Sequence, residues 1–225
     1  YGLQGNIDKG TSPFLVGKYD NVNILPGYSE ENIIINSAPN SKLRWEKTAS
    51  YNLGMDFSVL NQAINLSVDY YYRKGTDLIG SKALALENGF TNMSINWASM
   101  ENKGVEFNIN ALAINTKDFT WELGYNVTWN DSKITKLTAN FNPDYPGINA
   151  GSTSFGTGNV VQKHQVGYAP STFYVYQQVY DNNGNPIQNA VVDRDGNGEI
   201  TESDKYLTGK SPMAKVFMGF SSQFT

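Results

Sequence analysis

The densest run of oxygen donors in this sequence is Asp193-Arg194-Asp195-Gly196-Asn197-Gly198-Glu199-Ile200-Thr201-Glu202-Ser203-Asp204. Its spacing follows the pattern of EF-hand-like calcium loops. Asp193, Asp195 and Asn197 fall at loop positions 1, 3 and 5 and project three side-chain oxygens into one turn. Gly198 supplies the sharp turn at position 6, and Glu199 offers its backbone carbonyl at position 7. Thr201, at position 9, is a ligand directly or through water, and Ile200 is expected to tuck the loop against a neighbour. Position 12 is Asp204, where an EF-hand carries a bidentate Glu. Carboxylates gathered in so short a turn repel one another unless a cation sits between them. That repulsion favours a bound Ca2+ over a polar turn without an ion. The role of such an ion is structural, ordering a long surface loop.

No other group of residues points to catalysis. Glu46, Asp56, Asp69, Glu106 and Glu122 lie scattered on strand-like segments, and no pair is spaced for acid–base work. His164 is the only histidine and has neither nucleophile nor carboxylate beside it in sequence. Without cysteine, disulfide and thiolate chemistry are excluded. Gly151–Gly158 is rich in Gly, Ser and Thr but lacks the Lys-Ser/Thr ending of a phosphate cradle, and reads as a flexible loop. Trp97, Phe141, Tyr145, Phe155 and Tyr168 are loop aromatics, suited equally to stacking on sugar rings and to packing within loops. The net charge of −4, with no block of like charge, argues against a nucleic-acid surface. The sequence is therefore read as a non-enzyme.

The segments that must hold the calcium loop alternate with period 2. Ala49, Tyr51, Leu53, Met55, Phe57 and Val59 share one face; Ser50, Asn52, Gly54, Asp56 and Ser58 share the other. A turn at Leu60-Asn61-Gln62 leads to a second run, in which Ile64, Leu66, Val68, Tyr70 and Tyr72 alternate with Asn65, Ser67, Asp69 and Tyr71. The pattern returns at Val105–Ala111 and at Trp121–Trp129, joined by a turn at Asn115-Thr116-Lys117-Asp118. It is weaker around Ser171–Gln177 and clear again at Val216, Met218 and Phe220. Between these strands the links near 61 and 116 are tight, whereas 74–102, 138–170 and 178–212 are expected to be long loops. Short turns alternating with long loops, and runs near the ~9–11 residues a tilted membrane strand needs, mark an outer-membrane barrel. The apolar face then meets lipid and the Asn- and Ser-rich face a wet lumen. Tyr, at 14 residues, suits the aromatic girdles of such barrels. The start at Tyr1 and the end at Thr225, inside an apparent strand, suggest a segment of a longer protein.

Several motifs resemble those of SusC/RagA-type TonB-dependent outer-membrane transporters. The run Asn36-Ser37-Ala38-Pro39-Asn40-Ser41-Lys42-Leu43-Arg44-Trp45-Glu46 is similar to that family's N-P-x-L-x-W-E lead-in to a strand like Tyr51–Phe57. Leu66–Ile79 resembles the strand that follows it. Met100-Glu101-Asn102-Lys103-Gly104-Val105-Glu106 matches N-x-G-x-E, and Trp121 through Ile134 matches the W-x-x-x-x-N-x-S-x-N-x-N-x-I strand. Tyr1–Asn6 resembles Y-G-x-x-G-N, and such proteins often carry a D-x-N-G-D-G-x-I-x-x-x-D loop where residues 193–204 lie. Asp at the last position is also what dockerin-type loops carry.

The resemblance implies an all-β fold: an antiparallel transmembrane β-barrel segment, residues 1–225, from the later part of one barrel domain. The plug domain and TonB box would lie upstream, outside this sequence. It implies import of glycan fragments or peptides across the bacterial outer membrane, with a SusD-like surface lipoprotein as lid and energy from the TonB complex. The competing reading is a soluble secreted carbohydrate-binding β-module with a calcium loop. The two differ over Leu53, Met55, Phe57, Leu66 and Val68: a module buries them under a second sheet, whereas a barrel leaves them facing lipid.

Overall fold

The computed structural model describes residues 1–7, 11–20, 32–35, 37–138, 147–152 and 159–225. In chain order its strands are β1 (Gly2–Asn6), β2 (Gly17–Asp20), β3 (Asn32–Ile35), β4 (Ser37–Ala38), β5 (Glu46–Val59), β6 (Ile64–Ala83), β7 (Asn92–Asn115), β8 (Thr120–Leu137), β9 (Ile148–Ser152), β10 (Val160–His164), β11 (Thr172–Tyr176), β12 (Gln178–Tyr180), β13 (Pro186–Val191), β14 (Lys205–Leu207) and β15 (Val216–Phe224). Two single 3₁₀ turns, at Leu86–Asn88 and Glu202–Asp204, are the only helical elements among the described residues.

The main sheet runs β1-β5-β6-β7-β8-β15, with β4 pairing alongside β7. Within it β1 pairs antiparallel with β5, from Gly2 opposite Ser50 to Asn6 opposite Glu46, and β15 pairs antiparallel with β8 in unbroken register, from Val216 opposite Trp129 to Phe224 opposite Trp121. The exception is β4, which is parallel to β7. Smaller sheets are β14-β11-β10-β9, β12-β13 and β2-β3.

The tight turns fall where the alternation breaks. Leu60, Asn61 and Gln62 all take left-handed backbone angles, with φ of 54°, 51° and 68°. Three side-chain-bearing residues in that region reverse the chain at a steric cost that glycine would avoid. The β7–β8 turn closes differently: the Thr116 N–H donates to the Phe119 carbonyl, and the Phe119 N–H donates to the Thr116 hydroxyl at 3.1 Å.

The expected loop over 74–102 is corrected. Strand β6 runs 20 residues and β7 runs 24, so only residues 84–91 connect them. Alternation stops near Lys74, yet β6 continues to Ala83. The segments 138–170 and 178–212 are likewise not featureless, since they carry β9, β10, β12, β13 and β14.

The apolar face of the main sheet is uncovered. Leu53 is 69% exposed, Met55 55% and Met218 67%. Ile134 is the only buried hydrophobic residue among the described residues. A soluble sandwich of this size would bury one face of each sheet against the other. Among the described residues no second layer does so, and the secreted-module reading loses its structural basis. A single-layer wall with an apolar face is what a lipid-facing barrel segment requires.

Contacts divide the chain into two units. The first comprises Tyr1–Tyr51, Arg73–Met100 and Lys136–Pro143. In it, Arg44 pairs with Asp77 at 2.7 Å, Glu46 accepts the Ile79 N–H at 2.8 Å, and the Trp97 indole lies over Gly80. The second comprises Asn52–Tyr72, Glu101–Thr135 and Asp144–Thr225. There the Tyr71 hydroxyl donates to Asn130 at 2.9 Å, and the Asn102 amide donates to Asn130 and Ser132 at 2.8 and 2.7 Å. The Tyr71 ring covers Gly104, where a Cβ would strike both that ring and the Trp129 carbonyl.

Candidate functional site

The loop at 193–204 joins β13 to β14, and its backbone is shaped by two glycines. Gly196 and Gly198 have φ of 72° and 85°, a region that side chains disfavour. The turn lets the Asp193 carboxylate accept two N–H groups, from Gly196 at 2.7 Å and Gly198 at 2.8 Å. Asp195 accepts the Asn197 N–H at 3.1 Å and its side-chain amide at 3.0 Å. Asn197 accepts the Glu199 N–H at 2.7 Å.

Asp204 closes the loop from the far end with no solvent exposure. It accepts the Arg194 and Thr201 N–H groups, both at 2.7 Å, and the Asp195 N–H at 3.4 Å. These donors, that of Thr201 foremost, hold its carboxyl below the usual range, although desolvation acts in the opposite direction. Asp204 is also the third residue of the Glu202–Asp204 turn, and with Thr201 it forms a reciprocal capping box.

One oxygen each from Asp193, Asp195 and Asp204 lies within 4.8 Å of the others. No ion pair among the described residues includes any of the three. The cationic neighbours in sequence turn elsewhere: the Arg194 guanidinium to Gln177 at 2.8 Å and to the Tyr206 ring, the Lys205 ammonium to Glu202 at 2.7 Å and to the Val160 carbonyl at 3.1 Å. Three carboxylates so placed, none of them ion-paired among the described residues, suit a hard divalent ion with oxygen ligands. Asn197 touches the trio through its side-chain amide nitrogen, which donates to Asp195 at 3.0 Å. Glu199 is exposed at its side chain, which leaves its carbonyl as the relevant group. The Thr201 hydroxyl accepts the Ser203 N–H at 3.3 Å and caps the Glu202–Asp204 turn. Ile200 is 49% exposed and does not tuck the loop in as expected.

Sequence reasoning missed a cationic–aromatic cluster next to the loop. Lys205 is buried and donates to Glu202 at 2.7 Å and to the Val160 carbonyl at 3.1 Å. The Lys163 ammonium sits 3.7 Å from the Tyr174 ring centroid, and the Tyr174 hydroxyl donates to the Glu202 carbonyl at 2.8 Å. Burial pushes the Lys163 ammonium below its ordinary value, and the Lys205 hydrogen bond draws the Glu202 carboxyl down. Residues 163, 174 and 205 are too far apart in sequence for any spacing to signal this.

The other sequence candidates have ordinary places. His164 accepts the Ser171 N–H at 3.1 Å, and burial lowers its pKa. Asp56, Glu106 and Glu122 are exposed and Asp69 is half-buried, as on a solvated wall. Trp97 packs on Gly80 within the strands, and Tyr168 donates its N–H to the Gln165 carbonyl. Phe141, Tyr145 and Phe155 lie outside the described residues, as does most of the Gly151–Gly158 stretch.

A family model described as TonB dependent receptor-like, beta-barrel, matches residues 5–208. The TonB-dependent receptor SusC of Bacteroides thetaiotaomicron is 49% identical over 185 residues, covering 82% of this chain and 18% of its own length. TonB-dependent receptor P3 of Formosa agariphila is 30% identical over 242 residues, covering 99% of this chain and 23% of its own. The solved structure of the RagAB peptide transporter superposes with a TM-score of 0.71 at 21% identity, over 99% of this chain and 24% of that one. The 'open-open' state of the RagAB peptide importer gives 0.68. The chain thus spans about a fifth of the length of these curated relatives.

Proposed function

The chain belongs to the TonB-dependent receptor β-barrel family, and from that premise we propose that it forms part of the wall of an outer-membrane nutrient importer. The cargo is a glycan fragment or a peptide. A SusD-like surface lipoprotein is the partner outside the cell, and the TonB complex supplies energy through regions outside these 225 residues. No catalytic step is part of this reading. The observation that carries it is the uncovered apolar face of the long strands, with Leu53 69% exposed and no second sheet across it. Strands of 14 to 24 residues exceed the ~9–11 needed to cross a bilayer and leave backbone for the rims.

In this reading the turns at Leu60-Asn61-Gln62 and Thr116 lie on the periplasmic rim, and the 84–91 connection and the 138–215 region lie outside. Cysteine labels at Asn61 and at Asn182, in the β12–β13 hairpin, separate the two rims on intact cells. Labelling of Asn182 alone is expected; equal labelling of both overturns the orientation. Import is tested by growth of a deletion strain on single glycans and on peptides, with and without TonB. Unimpaired growth on every source overturns the importer reading.

The loop at 193–204 holds a calcium ion in this reading. Asp193, Asp195, Asn197 and Asp204 supply side-chain oxygens, Glu199 its carbonyl, and Thr201 a hydroxyl through water. The ion supplies only charge neutralisation and order. The chain itself aims the oxygens, through the glycine turn and the N–H groups donated to Asp193 and Asp204. Extracellular loops of this kind need only weak affinity, on the order of 10⁻⁴–10⁻³ M.

A further inference from the structure

Within the unit of Tyr1–Tyr51, Arg73–Met100 and Lys136–Pro143, a cavity of about 420 Å³ is lined by Lys42, Arg44, Lys82 and Lys136, with Met93 and Ile95 as its apolar lining. Among the described residues no acidic side chain lines it. That is against the balance of the whole sequence, which holds 21 Asp and Glu against 17 Lys and Arg. Arg44 is already neutralised by Asp77 at 2.7 Å. Lys42, Lys82 and Lys136 enter no ion pair among the described residues. Ammonium groups of one sign around a cleft focus the field on an incoming anion.

The walls are set before a ligand arrives. Asn40 donates to the Ser94 carbonyl at 2.8 Å, and Asn96 accepts the Arg44 N–H at 2.7 Å while donating to the Arg44 and Asp77 carbonyls. The Thr138 hydroxyl donates to the Trp97 carbonyl at 2.8 Å. These bonds tie the Lys42 turn and the end of β8 to the start of β7, so the cations are carried on a fixed frame. The volume falls within the ~300–1,000 Å³ of small-molecule sites, larger than a lone inorganic ion needs.

We infer that this cavity binds a small organic anion, whose carboxylate or phosphate meets Lys42, Lys82 and Lys136 while its uncharged body rests against Met93 and Ile95. The charge-assisted hydrogen bonds that form are about twice as strong as neutral ones. The anionic group has two possible sources, a soluble acidic sugar or the phosphorylated headgroup of a lipid. The inference does not depend on import, because binding is read on purified protein without uptake.

The test is calorimetric titration of the full-length protein in detergent with glucuronate, with glucose as its near-neutral twin and with glycerol 3-phosphate as the headgroup mimic. Glucuronate binding at least tenfold tighter than glucose, and weakened at least tenfold in the K42Q/K136Q variant, supports a soluble acid. Binding of glycerol 3-phosphate alone, with the same loss in the variant, supports the site with a lipid source. K82Q alone serves if the double variant loses the heat-modifiable mobility of a folded barrel. Equal affinity for glucose and both anions, no binding of either anion, or unchanged affinity in a folded variant overturns the inference.

Discussion

The long strands and the 193–204 loop solve the same problem, holding polar backbone in place, by opposite means. In the wall, order comes from the ladder: β15 and β8 exchange backbone hydrogen bonds from Val216 opposite Trp129 to Phe224 opposite Trp121, and the side chains are left outside. In the loop, order comes from side chains that turn back on the backbone, with Asp193 and Asp204 together accepting five N–H groups. The wall therefore tolerates almost any residue that suits its solvent, whereas the loop tolerates few at its donor positions. In the proposed reading the surroundings differ too: a bilayer for one, an ion for the other.

The largest expected effect comes from breaking the match between wall and solvent. Leu53→Arg, near the middle of β5, should destabilise the barrel by roughly 2–4 kcal/mol if that face meets lipid, whereas Asn52→Arg on the opposite face should cost far less. Urea unfolding of the full-length protein in vesicles measures both, and equal effects would remove the contrast. Next in size is Gly104→Ala. Its Cβ has nowhere to go between the Tyr71 ring and the Trp129 carbonyl, so overpacking of about 1–3 kcal/mol is expected in the same assay.

Smaller still is the response of the loop to its ion. Asp195→Ala should raise the protease sensitivity of residues 193–204 in millimolar calcium to the level that a chelator produces in the unaltered protein. Barrel unfolding should not move. A loop equally protected with and without chelator would remove calcium from the account.

The smallest effect is on pH. The Asp204 carboxyl lies below its ordinary range in the folded loop, because backbone donors favour its charged form. Such a group contributes order that is fully present above the unfolded value of about 3.9 and is lost as pH falls through the lowered one. Amide exchange at Arg194 and Thr201 should therefore accelerate relative to the wall only in strong acid, and Asp204→Asn should abolish that dependence.

The strands were legible where one face must avoid water. Leu53-Gly54-Met55-Asp56-Phe57 shows the period directly, and the turns at Leu60–Gln62 and Asn115–Asp118 fall where the alternation breaks. Residues 75–83 of β6 were illegible because they do not alternate, whereas the start of β7 carries only a short alternation, Met93, Ile95 and Trp97 against Ser94 and Asn96. Trp97 over Gly80 and Asn96 bridging Arg44 to Asp77 hold them, and those pairs join distant positions. The loop was legible because its donors are spaced within one turn. Lys163, Tyr174 and Lys205 were not, nor were the cations of the cavity, because only the folded chain brings them together.

Asp204 and Lys205 are consecutive, yet they face different obligations. The carboxylate gathers the start of its own loop, and the next residue's ammonium reaches back to the Val160 carbonyl at 3.1 Å. One peptide bond thus joins a knot in the loop to an anchor in the small sheet. Whatever tightens the knot is felt at Val160, and the loop cannot swing as a free flap. Beyond β14 the chain turns again at Gly209, where φ is 71°.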